Sequence, residues 1–299
     1  MKILIIGSTG FIGSNLIKYL SNKSHIVYGA DIIPNVYNKK NYIVLDEKNE
    51  TFVKLFEKNK YDVCINCTGS ASVPNSYKDL ISDFTLNTFN VLKQLEAIKQ
   101  LNPECKYINL SSAAVYGNPV RLPIPENTPL YPISPYGYHK KMAEDILAEY
   151  HNIYNIKTCS LRIFSAYGEG LKKQILFDLS KKIKEDDKIF VYGTGEETRD
   201  FIHVYDICNA IDRIIFNAQF NNDIINIANG KRIKIIDIVM LLCDYWKSKK
   251  NIVFSGEIRQ GDPANWEADI SKLVSLDYKQ TIEIKAGIEK YVSWLREDV

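Results

Sequence analysis

The sequence predicts an α/β fold, a doubly wound parallel sheet with a smaller α/β C-terminal domain. Short apolar runs alternate with helix-patterned stretches through the first half, the pattern of strands covered by helices on both faces. A glycine-rich turn joins the first run to the first helical stretch. After about residue 167 the alternation loosens into shorter strands and amphipathic helices. The expected division is 1–166 for the sheet domain and 167–299 for the second, with segments near 200–228 returning to the sheet.

Residues 2–6 are apolar up to Gly7 and read as a buried strand. Phe11, Ile12, Leu16, Ile17 and Leu20 then share one helical face. Further strands are expected at 26–30, 42–45, 62–66, 106–110 and 158–164, with helices at 83–99 and 136–154. In the second half, 175–184 and 235–247 read as helices, and 189–192, 224–228 and 251–254 as strands. Residues 285–295 form a closing helix with Ile288, Tyr291, Val292 and Leu295 on one side. No linker or repeat separates the halves, so the second is expected to fold against the first.

The 299 residues are 45% hydrophobic and 25% charged, the balance of a soluble globular protein. Thirty-eight Lys and Arg against 36 Asp and Glu leave a net charge of +2, too little for nucleic acid as the main partner. No apolar run reaches membrane length, and the apolar start stops at Gly7, too short for a signal-peptide core. Neither a nucleic-acid nor a membrane partner is therefore expected. Six cysteines stand at 64, 67, 105, 159, 208 and 243. Cys64 and Cys67 have the spacing of a redox or zinc pair, but on a strand residues three apart face opposite sides. No second pair completes a zinc site, so no metal is expected. The cysteines read as small buried residues of a reducing compartment, and the expected location is cytoplasmic.

Gly7, Gly10 and Gly13 follow directly on the first strand. Gly7 permits the tight turn, Gly10 lets backbone approach a pyrophosphate, and Gly13 lets the helix pack on the strand. This is the Rossmann arrangement, with the helix amides and positive dipole end turned to the phosphates. Thr9, Phe11 and Ile12 lie inside the same turn and are expected contacts of a dinucleotide. Asp31 closes the second strand, where a carboxylate accepts bonds from the adenosine ribose hydroxyls and repels a 2′-phosphate. The following Ile32-Ile33-Pro34 supplies no arginine for such a phosphate, so NAD is favoured over NADP. Taken alone, each feature also reads as an ordinary turn.

Tyr136 and Lys140 lie one helical turn apart on one face of a predicted helix. A free tyrosine titrates near ~10 and is a poor base at neutral pH. A nearby ammonium and a positive nicotinamide both favour phenolate, and Lys140 is also placed to hold the nicotinamide ribose. Upstream, Asn109-Leu-Ser-Ser-Ala-Ala-Val-Tyr-Gly117 begins at the end of the fifth strand, where strand C-termini line the ligand crevice. A hydroxyl of Ser111 or Ser112 emerges there to bond a substrate oxygen. Tyr-x-x-x-Lys without this setting is common on helix surfaces, and a serine pair without it is a strand-end cap.

With these motifs in order, the chain resembles the extended short-chain dehydrogenases/reductases of the NAD-dependent epimerase/dehydratase group, and nucleotide-sugar 4-epimerases of the UDP-glucose 4-epimerase type most of all. The resemblance covers nearly the full length. It adds Asn66-Cys-Thr-Gly69, Asn87, Leu161-Arg-Ile-Phe164, Gly193 to His203, Arg259-Gln-Gly-Asp262 and Ala268-Asp-Ile-Ser-Lys272 to the motifs above. It implies that Ser112 binds the reacting hydroxyl, Tyr136 is the base and Lys140 the ribose-binding lysine. It implies that Asp46 reads the adenine amino group, that Cys67, Thr68 and Ser70 flank the cofactor, and that Asn87, Ser111 and Phe164 contact it. Arg199 and Arg259 resemble the arginines that grip a nucleotide diphosphate and ribose, a role suited to a planar guanidinium. Asp262 lies near that ribose. Ser165 stands where epimerases usually carry an asparagine that helps hold the diphosphate. The chain is also short for the group, which implies trimmed loops around the sugar.

The expected reaction is epimerisation of a nucleotide-diphosphate sugar through a transient 4-keto sugar with recycled NAD. The resembling dehydratases and decarboxylases carry acids after the catalytic hydroxyl, whereas this chain has Ala113-Ala114, which cannot move a proton. A net 4-dehydrogenase or 4-ketoreductase shares the same residues and stays open, and a non-enzymatic NAD-binding scaffold is the remaining alternative. Relatives dimerise through two helices per subunit, so a homodimer through 83–99 and 136–154 is expected. Phe84, Leu92, Leu95, Ile98, Ile146, Leu147 and Tyr150 would be its apolar residues, or alternatively core.

Overall fold

A computed structural model describes residues 1–34, 41–46, 52–257 and 259–297. The chain opens with β1 (Lys2–Ile6), α1 (Phe11–Ser21), β2 (Ile26–Asp31), β3 (Tyr42–Val44), α2 (Val53–Glu57) and β4 (Val63–Asn66). Then come α3 (Val73–Lys78), α4 (Leu80–Phe84), a π turn (Thr85–Phe89), α5 (Asn90–Leu101) and β5 (Lys106–Ser112). A 3₁₀ turn (Ala113–Val115) leads towards α6 (Pro135–Tyr154) and β6 (Thr158–Ile163). The second half comprises β7 (Ser165–Tyr167), α7 (Gln174–Glu185), β8 (Lys188–Val191), β9 (Thr198–His203), α8 (Val204–Asn217) and β10 (Asn221–Ile227). It closes with β11 (Arg232–Lys234), α9 (Ile235–Trp246), β12 (Asn251–Phe254), α10 (Ser271–Ser275) and α11 (Ile284–Glu297).

The main sheet has seven strands in the order β10-β6-β5-β4-β1-β2-β3, and every neighbouring pair is parallel. From β1 the chain builds outwards through β2 and β3, then returns across β1 to build β4, β5 and β6. The order reverses between β1 and β4, which opens a crevice at the strand C-termini. Alternation along the strands explains the two helical layers. Ile3 and Ile5 of β1 join a cluster with Leu16 and Leu20 of α1 and Ile207, Ile211 and Ile214 of α8. Leu4 and Ile6 join another with Leu55 of α2, Leu95 and Ile98 of α5 and Leu147 of α6. Both faces of β1 are therefore covered, which is why its sequence is a continuous apolar run and not an alternating one. Each fully buried Leu or Ile contributes about 1.5–3 kcal/mol by leaving water.

Cys64 lies in the second of these clusters and Cys67 packs against the first, so the two thiols diverge as the spacing predicts. All six cysteines are free. Beyond the main sheet, β11-β9-β7 form a three-stranded sheet and β12-β8 a pair. A third apolar cluster joins α7, β8, α9 and α11 through Leu179, Ile189, Leu242 and Tyr291. Among the described residues, no helix is long and apolar enough to cross a membrane.

One expectation is corrected, and one open alternative falls to the core. The single helix expected at 83–99 is α4, a π turn and α5 in succession. Leu95, Ile98, Leu147 and Tyr150, considered for a dimer face, are core residues of the second cluster, with Leu92 and Ile146 packed against it. They are spent on the fold because α5 and α6 lie on the sheet. Phe84 alone of that set is exposed.

One buried ion pair ties α6 to the sheet. Arg162 of β6 meets Glu144 of α6 with Nη2–Oε2 at 2.7 Å and Nε–Oε1 at 3.0 Å, and the two side chains are 2% and 5% exposed. Arg162 Nη1 donates to Tyr116 Oη (2.9 Å) and to the Glu126 carbonyl (2.8 Å), so its donors are largely satisfied. Removing one partner strands a buried charge. Arg162→Met is expected to lower stability by about 3–5 kcal/mol, read as a fall in the urea-unfolding midpoint.

Candidate active site

β1 delivers Gly7 to the crevice with φ of +79°, and a Cβ there would lie 2.8 Å from the Cys67 carbonyl carbon and the Thr68 nitrogen. The turn and the loop after β4 thus touch across the reversal point. A Cβ on Gly13 would lie 2.1 Å from the Gly7 carbonyl oxygen, so α1 seats on the turn only because residue 13 has no side chain. Gly10 caps α1 without a side-chain bond, and no acidic residue stands in the first turn. The leading amides of α1 are left for an anion, which the helix dipole favours. Asp31, ending β2, accepts from Thr9 N (2.9 Å) and Thr9 Oγ1 (2.8 Å) through Oδ2, and from Ile32 N (2.8 Å) through Oδ1. Its carboxylate is fixed against the glycine turn with lone pairs to spare. Phe11 and Ile12 are half-buried at the start of α1, and Asp46 is exposed shortly after β3.

The loop after β4 carries Cys67, Thr68, Gly69 and Ser70. Thr68 Oγ1 donates to Asn66 Oδ1 at 2.6 Å, and Asn66 Nδ2 donates to Asn109 Oδ1 at 3.0 Å, so buried amides shape the loop. Cys67 is half-buried, and burial pushes its thiol up. Asn87, in the π turn, donates Nδ2 to the Ser70 carbonyl (3.2 Å) and to Asp83 Oδ1 (3.1 Å). Its Oδ1 is buried without a hydrogen-bond donor among the described residues. Gly69 has φ of +119°, and a Cβ on it would lie 2.5 Å from Asn87 Oδ1 and 3.2 Å from Lys140 Nζ. A cradle a Cβ would fill, a helix start without a side-chain cap and an orphaned buried oxygen all lie along this crevice. That is the fit expected for a bound dinucleotide.

Ser134 caps α6 by accepting from Gly137 N at 3.2 Å, and Pro135 starts it. The helix then places Tyr136 and Lys140 one turn apart, 8% and 4% exposed. Lys140 Nζ donates to the Leu110 carbonyl at 2.9 Å and lies 5.9 Å from the Tyr136 ring centroid. Ser112, the last residue of β5, accepts from Ala114 N at 3.2 Å and caps the 3₁₀ turn. Burial pushes the Tyr136 phenol up to about 12, a hydrogen bond from Ser112 opposes this, and Asp83 adds to the rise. Burial pulls Lys140 down to about 8, opposed by Asp83, Glu144 and Cys67. For each group burial is the largest influence, raising the phenol and lowering the ammonium.

The two serines have different partners. Ser111 is buried and its Oγ donates to Glu144 Oε1 at 2.6 Å, so its hydroxyl serves the Glu144–Arg162 pair. Ser112, one position on, keeps its hydroxyl beside Tyr136. Ala113, Ala114, Tyr136, Phe164 and Trp266 share one apolar cluster.

On the second half, Arg199 Nη1 donates to the carbonyls of Thr198 (2.9 Å) and Ala264 (3.2 Å), with its guanidinium 5.7 Å from the Trp266 ring centroid. Burial lowers Arg199, and Asp262 acts against that. Arg259 grips Asp262 with two bonds of 3.0 Å. Arg199, Arg259 and Asp262 therefore form one charged group. Ser165 is half-buried at the start of β7, next to Phe164.

Sequence reasoning gave no role to Glu144, Asp83, His139 or Trp266. The signal for the first was Arg162, a charge inside an otherwise apolar strand, which demands a partner. Trp266 stands among small and polar residues right after the Arg259–Asp262 motif, where a buried indole is a visible exception.

Residues 3–228 match the NAD dependent epimerase/dehydratase family. UDP-glucose 4-epimerase of Lactobacillus helveticus is 28% identical over 304 residues, spanning 91% of this chain and 89% of that protein. The UDP-glucuronic acid 4-epimerase of Bacillus cereus, solved in complex with UDP-glucuronic acid and NAD, superposes with a TM-score of 0.91 at 27% identity, over 100% of both chains. The UDP-N-acetylglucosamine 4-epimerase of Methanobrevibacter ruminantium, solved in complex with UDP-N-acetylmuramic acid, gives 0.89 at 26% identity, over 100% of this chain and 99% of that one. The chain belongs to the NAD dependent epimerase/dehydratase family, enzymes of the extended short-chain dehydrogenase/reductase class.

Proposed function

We propose that this enzyme epimerises a nucleotide-diphosphate sugar, a UDP-sugar in the first instance, at C4 through a transient 4-keto sugar. The observation that carries the reading is the convergence of Ser112, Tyr136 and Lys140 beside the Gly7–Gly13 turn and the orphaned Asn87 oxygen. The complexes of the B. cereus 4-epimerase with NAD and UDP-glucuronic acid support it by likeness.

Gly7, Gly10, Gly13 and the first amides of α1 would hold the NAD pyrophosphate. Asp31 would take the adenosine ribose and Asp46 the adenine amino group, while Thr9, Phe11, Ile12, Cys67, Thr68, Ser70, Asn87 and Phe164 would line the cofactor. NAD, when bound, supplies the hydride acceptor and a positive charge that favours phenolate. Ser112 Oγ would hold the oxygen of the sugar 4-hydroxyl, and Tyr136 Oη would take its proton and later return one to the keto oxygen. Lys140 would seat the nicotinamide ribose with its ammonium. Arg199 and Arg259 would meet the diphosphate, with Ser165 and Asp262 beside it. The methyl groups of Ala113 and Ala114 leave the crevice without the acid that elimination of water or loss of carboxylate needs.

A homodimer is part of this proposal. Leu80, Ile81, Phe84, Leu86 and Phe89 from α4 and the π turn are exposed, as are Tyr138 and Met142 of α6. That is an apolar surface suited to a second copy of itself. Light scattering should give twice the chain mass, and Ile81→Asp should return a monomer.

Incubation with UDP-glucose, UDP-glucuronic acid and UDP-N-acetylglucosamine, followed by proton NMR, should show 4-epimer formation without net reduction of cofactor. Stoichiometric NADH release would point to a net dehydrogenase instead. Tyr136→Phe should lower kcat by about 10³-fold, and undiminished turnover would exclude the phenol as the base. Gly13→Ala should weaken NAD binding by about 10²-fold in calorimetric titration, because α1 must shift to clear the Gly7 carbonyl.

A further inference from the structure

Asp83, at the end of α4, is 3% exposed and takes no part in the chemistry above. Its Oδ1 accepts from Asn87 Nδ2 at 3.1 Å, and its Oδ2 lies 2.6 Å from His139 Nδ1. The carboxylate therefore joins α4, the π turn and α6, two of whose residues are Tyr136 and Lys140. His139 is itself pinned: its carbonyl accepts from Thr88 Oγ1 at 2.8 Å, and the Phe84 ring stands edge-on at 5.5 Å. A buried carboxylate without partners would be costly, so this set is one packed unit. With Nδ2 committed to Asp83 and Ser70, the Asn87 carboxamide can only turn its oxygen the other way. That oxygen flanks Gly69, as Lys140 Nζ does.

We propose that Asp83 is a positioning residue of the proton-transfer site: it orients the Asn87 carboxamide with its oxygen towards Gly69 and holds a carboxylate near Lys140. The inference deepens the reading of Lys140 and Tyr136 given above and rests on it. The groups that bear on the Lys140–Tyr136 pair are Asp83 from α4, Asn87 from the π turn, Glu144 from α6, Cys67 after β4 and Ser112 from β5, with His139 held on Asp83. Of the charges that restore Lys140 against burial, Asp83 acts most strongly, and it also acts on Tyr136. Removing it lowers the proton affinity of both, so the ammonium is lost at a lower pH.

The test is carbon-13 NMR of cofactor-free protein labelled at the lysine ε-carbons, with Lys140 assigned through Lys140→Arg. Asp83→Asn should weaken the proton affinity of Lys140 by about tenfold, the size of a single nearby charge. Asp83→Ser is the second neutral variant should Asp83→Asn not fold. Asp83→Glu, which keeps the charge, should stay within twofold of the parent. Fluorescence titration should show NAD binding about tenfold weaker in the neutral variants and near the parent in Asp83→Glu. A folded neutral variant with Lys140 unmoved would overturn the proposal, since a purely structural aspartate shifts melting temperature alone. The titration needs no sugar nucleotide. A protein that shows the shift but converts no UDP-sugar would sink the catalytic reading and leave Asp83 in place.

Discussion

Everything in the crevice depends on a distance that leaves no room for a methyl group. The carbonyl of Gly7 lies within 2.1 Å of where a Cβ of residue 13 would be, and a Cβ on Gly7 would run into the Cys67–Thr68 peptide at 2.8 Å. These approaches set α1 directly over the end of β1 and draw the β4 loop into the same space. Steric exclusion of this kind is not graded: one added carbon forces backbone to move. The position of the leading amides of α1 follows from it. The seven-stranded sheet then acts as a rigid platform, with apolar clusters on both faces holding the strand ends in register.

Electrostatics in the site is governed by water exclusion more than by pairing. Burial favours the neutral form of Tyr136 and of Lys140, moving the one up and the other down. Both shifts disfavour the charged form, although at about 8 Lys140 is still mostly an ammonium at neutral pH. Ser112 for the phenol and Asp83 for the ammonium are partial remedies drawn from different elements. This division explains why the polar residues around the pair are themselves buried and bonded: a loosely held remedy would be screened or turned aside.

Much of this was legible in the sequence because it is local. Residues 2–6 read as a buried strand because both faces are covered, and the glycine spacing reads directly as turn geometry. Elements that depend on distant partners were harder. α8 is interrupted by buried Asp206, Asn209 and Asp212, which blur its apolar face until their partners are known; Thr281 N donates to Asp206 from far along the chain. The break of 83–99 into α4, a π turn and α5 follows from packing on α6 and from no local breaker. Strand patterning alone places either serine in the crevice, because a strand end shifted by one residue exchanges the faces of Ser111 and Ser112, and the choice of Ser112 came from the resemblance. The Glu144 partner of Arg162 lies on another element, beyond the reach of pattern reading.

The clasp between Arg259 and Asp262 leaves that guanidinium with a tethered anion of its own. Both side chains stay in touch with water, 45% and 28% exposed, so the pair contributes about 1 kcal/mol at most. Any other anion that reaches Arg259 therefore meets a position already taken, by an occupant that yields cheaply.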